Sequence, residues 1–123
     1  MESAVATLRQ VWTGSFGGAS GFLRPDPQPP VIVGAFGPKM AELAGRIGDG
    51  INAPAGSSLS RLVDVARDAH ARTGRDPDRF VVTTSGSPTD ERLVRLGVDR
   101  VISMIRPPYT RSVERLAREL GRG

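Results

Sequence analysis

Val31-Ile32-Val33-Gly34-Ala35-Phe36-Gly37-Pro38 is the stretch on which the reading of the whole chain turns. Three β-branched apolar residues in succession suit a strand buried on both faces of a parallel sheet. Gly34 ends the run, and Pro38 has the fixed φ and missing N–H that the first position of a helix accepts. A strand, a short turn and a helix start therefore follow one another directly, as they do at the start of a βαβ unit. Met40, Leu43, Ala44 and Ile47 continue as one apolar stripe, with Gly48 as its cap. Glu42 and Arg46 are spaced to pair on the exposed side of that helix.

The same alternation extends downstream. Ile51 to Ala53 predicts a second strand, and Ser58 to Thr73 a longer helix that buries Leu59, Leu62, Val63, Ala66 and Ala69. After the turn Arg75-Asp76-Pro77, Phe80 to Thr84 supplies a third strand. Leu93, Val94 and Leu96 mark a short helix ending at Gly97, Arg100 to Ile105 a fourth strand, and Val113, Leu116, Ala117 and Leu120 a last helix. Upstream, Val5, Leu8, Val11 and Trp12 recur at helical spacing with no strand before them. The glycine- and proline-rich stretch from Gly14 to Pro30 predicts a long connecting loop, of a length that is usually functional or mobile.

One helix followed by four βα units implies parallel strands joined by right-handed crossovers. An open doubly wound sheet would usually begin with a strand and carry five or six; an orphan helix with four units is what remains of a barrel cut in the middle. The chain has 123 residues, against about 250 for a whole barrel. The expected fold is α/β, the C-terminal half of a (β/α)8 TIM barrel, forming a single partial domain over residues 1–123. Such a cut leaves two unpaired sheet edges and an uncovered apolar face, so pairing with a second copy or with a separate N-terminal half is expected.

Seventeen Lys and Arg against thirteen Asp and Glu give a net charge of +4, spread through helices rather than gathered in one run. That hints at anionic small ligands and gives no reason to expect nucleic acid. Without cysteine there is no disulfide framework and no thiolate chemistry, as expected of a cytoplasmic protein. No metal site is expected, because His70 is the only histidine, and it reads as a surface or boundary residue of its helix. No apolar run approaches the roughly 20 residues that span a bilayer, and no signal-peptide pattern opens the chain.

Chemistry concentrates at the glycine-bearing turn. Backbone N–H groups there, backed by a helix dipole, form a ready anion site. The dinucleotide and P-loop fingerprints are both absent, and the plain alternative is that Gly34 and Gly37 only permit a tight turn. The general barrel rule points instead to the loops after the last two strands, here Ser85-Gly86-Ser87 and Arg106-Pro107-Pro108. Asp64 with Arg67 and Asp68 with Arg72 fit surface ion pairs, and no serine sits in a nucleophile elbow. No catalytic residue is assigned.

Pro29-Pro30-Val31-Ile32-Val33-Gly34-Ala35-Phe36-Gly37-Pro38-Lys39-Met40 and Ala44-Gly45-Arg46-Ile47-Gly48-Asp49-Gly50-Ile51-Asn52-Ala53 resemble the second half of the luciferase-like monooxygenases. Leu8-Arg9-Gln10-Val11-Trp12-Thr13-Gly14 and Gly97-Val98-Asp99-Arg100-Val101-Ile102 resemble the same family's helix before the proline-rich loop and its last strand. The resemblance implies oxidoreduction with coenzyme F-420, a deazaflavin, or with FMN. It places cofactor phosphate binding on Gly34, Ala35, Phe36 and Gly37, and it leaves the first four strands without a counterpart. The function it implies is a fragment of a flavin- or deazaflavin-dependent oxidoreductase or monooxygenase; the competing reading is a non-catalytic remnant or assembly subunit that pairs through exposed sheet edges.

Overall fold

The computed structural model describes every residue except 18, 22, 23, 122 and 123, with backbone alone at 16, 19 and 20. Its order is α1 (Glu2–Val11), β1 (Ser15–Phe16), β2 (Ala19–Ser20), β3 (Ile32–Gly34), α2 (Pro38–Ile47), β4 (Gly50–Ala53), α3 (Leu59–Ala71), β5 (Val81–Ser85), α4 (Glu91–Arg95), β6 (Arg100–Ile102) and α5 (Tyr109–Glu119). Strands β3-β4-β5-β6 form one parallel sheet in chain order, each joined to the next by a helix. Four consecutive βα units with sequential strand order are half of an eight-stranded barrel.

Register divides the sheet into two faces. Val33 pairs with Ile51 and Ile51 with Val82; Ala53 pairs with Thr84 and Thr84 with Val101. These residues lie under the helices and form one core with Ala41 and Ala44 of α2, Leu59, Leu62, Val63 and Ala66 of α3, and Leu93 of α4. Thr84 is tolerated there because its hydroxyl donates to the Ala53 carbonyl at 2.8 Å. Helices α2 and α3 touch backbone to backbone: a Cβ at Gly45 would stand 2.0 Å from the Ala66 carbonyl oxygen. Only glycine permits that approach.

The opposite face carries Gly34, Asn52, Thr83 and Arg100 in one layer, with Ile32 and Val81 toward one end and Ser85 and Ile102 toward the other. The expectation of an apolar uncovered face is corrected here: its middle layer is polar, and Asn52 and Arg100 are exposed. The large exposed apolar side chains lie largely elsewhere, at Phe36, Val94, Met104 and Val113. Helix α5 has no fully buried residue; of its apolar stripe Leu116 and Ala117 are half-buried and Val113 and Leu120 exposed.

At the N-terminal edge of the sheet, Asp49 ties separate elements together. Its Oδ2 accepts from the Val31 N–H at 2.8 Å and from Arg9 Nη2 at 2.9 Å, and its Oδ1 lies 3.6 Å from Arg75 Nη1. Its backbone N–H donates to Val31 and its carbonyl accepts from Val81. Arg75 also donates to the carbonyls of Gly45 and Gly48, closing the C-terminal end of α2, where helices leave acceptors without partners. Asp99 repeats the device two crossovers later, accepting from the Val82 N–H at 2.8 Å.

Several local expectations are overturned by these longer-range partners. Arg46 pairs with Glu2, not Glu42. Arg67 donates to the Leu96 and Gly97 carbonyls at the end of α4 instead of pairing with Asp64, and Arg72 makes no ion pair with Asp68. His70 is buried rather than at a boundary: its Nε2 is 3.1 Å from the Asp76 carbonyl and its ring lies against Phe80. The predicted loop before β3 contains the small antiparallel pair β1–β2, and the fourth strand stops at Ile102 instead of Ile105. Asp90 caps α4 by accepting from the Arg92 N–H, and the Arg92 guanidinium beside it holds its carboxyl below the usual range.

Replacing Asp49 with Ala should cost about 2 kcal/mol, because a half-buried charge-assisted acceptor and its three partners are lost together. Chemical denaturation reads this directly, and a midpoint unchanged from the wild type would show that Asp49 ties nothing.

Candidate functional site

The C-terminal edge of the sheet gathers the ends of all four strands. A hollow of about 210 Å³ lies there, bounded by Gly34, Phe36, Asn52, Pro54, Ser85 and Ile102. It opens beside a larger concavity of about 720 Å³ over the polar layer of the free sheet face. Its walls are neutral: one amide, one hydroxyl and apolar surface.

Of the four residues expected at the glycine turn, three remain available and one does not. Ala35 is fully buried, and its N–H donates to the Asn52 carbonyl at 2.9 Å, so it is spent on the sheet. Phe36 is 87% exposed and stands at the rim of the hollow. Gly37 is the N-cap of α2, extended at φ −150°, with no side chain to cap the helix. Among the described residues the N–H groups of Phe36 and Gly37 donate to no protein acceptor, and the first-turn N–H groups of Lys39 and Met40 are free of intrahelical partners by position. Several donors thus converge on the positive end of a helix, an arrangement suited to a phosphate.

Glycine itself separates structure from ligand here. A Cβ at Gly45, Gly48 or Gly50 would meet backbone oxygens at 2.0, 2.7 and 2.3 Å, so the fold demands those glycines. At Gly34 and Gly37 a Cβ would meet nothing within 4 Å, and neither has a positive φ. The tight-turn explanation therefore fails at both positions. What their missing side chains leave is open space next to unsatisfied N–H groups.

Sequence reasoning passed over Lys39 and Asn52. Lys39 is exposed in the first turn of α2, and its signal was being the sole lysine of an Arg-rich chain directly after Gly-Pro. Asn52 lines both the hollow and the concavity, which only the strand register reveals. Arg106 lies across the edge from the glycine turn, against the start of α5. His70 lies away from this edge, under the end of α3. Among the described residues no three His, Cys, Asp or Glu side chains could hold a metal ion, and no helix is long and apolar enough to cross a membrane.

A half-barrel sheet with a helix N-terminus open to its ligand edge defines a βα-barrel class of protein. The sequence model of the luciferase-like monooxygenase family matches residues 1–89, and the chain belongs to that family, one of oxidoreductases. Among solved structures it is similar to an F420-dependent secondary alcohol dehydrogenase in complex with an F420-acetone adduct, with a TM-score of 0.59 and 16% sequence identity. The likeness covers 95% of this chain and 52% of that one, so the chain spans about half the length of its structural relative.

Because Gly34 has open space beside it, Gly34→Ala should change stability by no more than about 0.5 kcal/mol. Gly45→Ala should cost about 1–3 kcal/mol or more by forcing α2 and α3 apart. Parallel thermal melts check the pair, and equal losses would remove the distinction between the two kinds of glycine.

Proposed function

We propose that this chain is a single partial domain contributing the phosphate-binding half of an oxidoreductase barrel that uses a flavin-type cofactor, coenzyme F-420 in preference to FMN. The observation that carries the reading is the turn at Gly34, Phe36 and Gly37, where glycines that the fold does not require border free N–H groups at a helix start. Family membership supplies the chemical class, and the F420-dependent structural relative favours the deazaflavin.

The residues present fit a phosphate group. Phe36 and Gly37 would hold it through their N–H groups, the dipole of α2 would add its positive end, and Lys39 would bring a cation to the same turn. The absence of side chains at Gly34 and Gly37 lets the anion approach the backbone. When bound, the cofactor supplies the hydride chemistry. Asn52 and Ser85 would offer the hollow's polar contacts, and Phe36, Pro54 and Ile102 would exclude water from one side of it. The half of the pocket that faces this chain would come from a second polypeptide segment.

Fluorescence titration of the 123-residue chain with coenzyme F-420, FMN and riboflavin tests the assignment. Coenzyme F-420 should bind more tightly than riboflavin, which has no phosphate, and Gly34→Val should weaken it about tenfold or more by blocking charge-assisted contacts. Unchanged affinity in the variant would sink the turn as the phosphate site. The chain alone should also give no saturable turnover near the typical rate of about 1 per second or above, since one wall of the pocket is missing. Turnover at that rate would overturn the half-site reading and leave the chain a complete enzyme.

A further inference from the structure

We infer that the cavity between the C-terminal turn of α3 and the starts of β5 and β6 is a binding site for a small alkylammonium or alkylguanidinium cation. The cavity has a volume of about 510 Å³ and lies toward the N-terminal edge of the sheet. That size falls within the roughly 300–1,000 Å³ of pockets that take small organic ligands. The glycine turn stands at the opposite edge, roughly 16 Å off along a strand such as β5, so this site does not depend on the proposed cofactor.

One buried nitrogen points to a ligand. His70 forms part of the cavity wall and is only 4% exposed. Its Nε2 stands 3.1 Å from the Asp76 carbonyl, which can only accept, so Nε2 carries the proton and Nδ1 of the neutral ring is an acceptor. Nδ1 has no hydrogen-bond partner, and among the described residues it is the sole buried side-chain nitrogen or oxygen without one. The fold accounts for the rest of this side chain. Nε2 fastens the turn after α3, and the ring lies 4.7 Å from that of Phe80, centroid to centroid. Neither contact uses Nδ1. Buried acceptors are seldom left without a donor, so a donor is what the cavity lacks.

Charge says which kind of donor. Asp68, Asp78 and Asp99 line the same cavity, and among the described residues none of the three has an ion-pair partner. Asp99 keeps one oxygen for the Val82 N–H. Arg67, on the same wall, is turned to the carbonyls of Leu96 and Gly97. Asp68 and His70 also stand in the last turn of α3, where the helix dipole favours positive charge. Among the described residues no three acidic or imidazole groups converge as a metal ion would require. The carboxylates instead surround an apolar floor that includes Phe80 and Pro77. Spread acids around an apolar floor suit a cation with N–H donors on a hydrocarbon chain. Its head group would meet the carboxylates and Nδ1, and its methylenes the floor.

Putrescine and methylguanidine, titrated into the 123-residue chain, test the inference, with tetramethylammonium as a cation that has no N–H to donate. His70 is the only histidine, so its imidazole nitrogen resonances in NMR report the site without ambiguity. The Nδ1 resonance should move in the direction of an accepted hydrogen bond as either donor cation binds, and tetramethylammonium should bind about tenfold more weakly. Asp68→Asn with Asp78→Asn should weaken putrescine binding about tenfold. Asp64→Asn with Glu114→Gln, an equal change of charge outside the cavity wall, should leave it unaltered. All four side chains belong to exposed residues, and thermal melts confirm that both double variants fold. Equal losses in the two pairs would overturn the site as diffuse surface charge. So would tetramethylammonium binding as tightly as putrescine, no saturable binding of either donor cation, or an Nδ1 resonance unmoved at saturation, which would leave that nitrogen to a buried water.

Discussion

The carboxylate of Asp49 is the point on which the arrangement of the chain depends. Strands β3, β4 and β5 begin at the same edge of the sheet, and a strand start leaves backbone N–H groups that the ladder does not yet satisfy. Asp49 accepts from one of them, at Val31, and its own backbone bridges to β3 and β5. The same side chain attracts Arg9 from α1 and Arg75 from beyond α3, so three connections that are distant in sequence are fixed to one group. Its value lies in the geometry more than in the charge, since pairs this exposed contribute little as ion pairs alone. The hydrogen bond to a backbone donor is what gives the carboxylate a single place to be.

From that edge the molecule divides its labour. The N-terminal edge holds Asp49, Asp99 and Arg75, each satisfying backbone groups, while the C-terminal edge leaves such groups open at Phe36, Gly37 and the start of α5. Barrels commonly separate stability from ligand binding in this way. In this family member the separation is visible even in glycine usage. Gly45, Gly48 and Gly50 serve packing, and Gly34 and Gly37 have no packing to serve.

Much of this was legible from the chain because βα units write themselves in local periodicity. The stripe Met40, Leu43, Ala44 and Ile47 and the run Val31 to Val33 each lie within one element, and the structure has α2 and β3 there. Partners separated by tens of residues were not legible. Arg46 is four residues from Glu42 and 44 from Glu2, yet it pairs with Glu2, since the docking of α1 on α2 decides which carboxylate is in reach. Arg67 read as half of a surface ion pair and Arg75 as part of a turn, because nothing in a sequence reveals a carbonyl lacking a donor. The polarity of the free sheet face was hidden for a similar reason: Asn52, Thr83 and Arg100 sit in three separate strands and become one layer only through register. The site was half legible. The strand, turn and helix start from Val31 to Pro38 were readable, but the spending of the Ala35 N–H on the sheet and the place of Lys39 beside the turn emerge only in the folded chain.

The contact between Gly45 and the Ala66 carbonyl has a mechanical consequence. Helices spaced by interlocking side chains can slide as rotamers change, whereas helices spaced by main chain cannot. Because α2 follows β3 and α3 follows β4, the angle at which those strands splay is set by an incompressible spacer. The sheet's curvature is then a fixed mould rather than an adjustable hinge. A polypeptide laid against the free face of the sheet would have to follow the curve that this spacer sets.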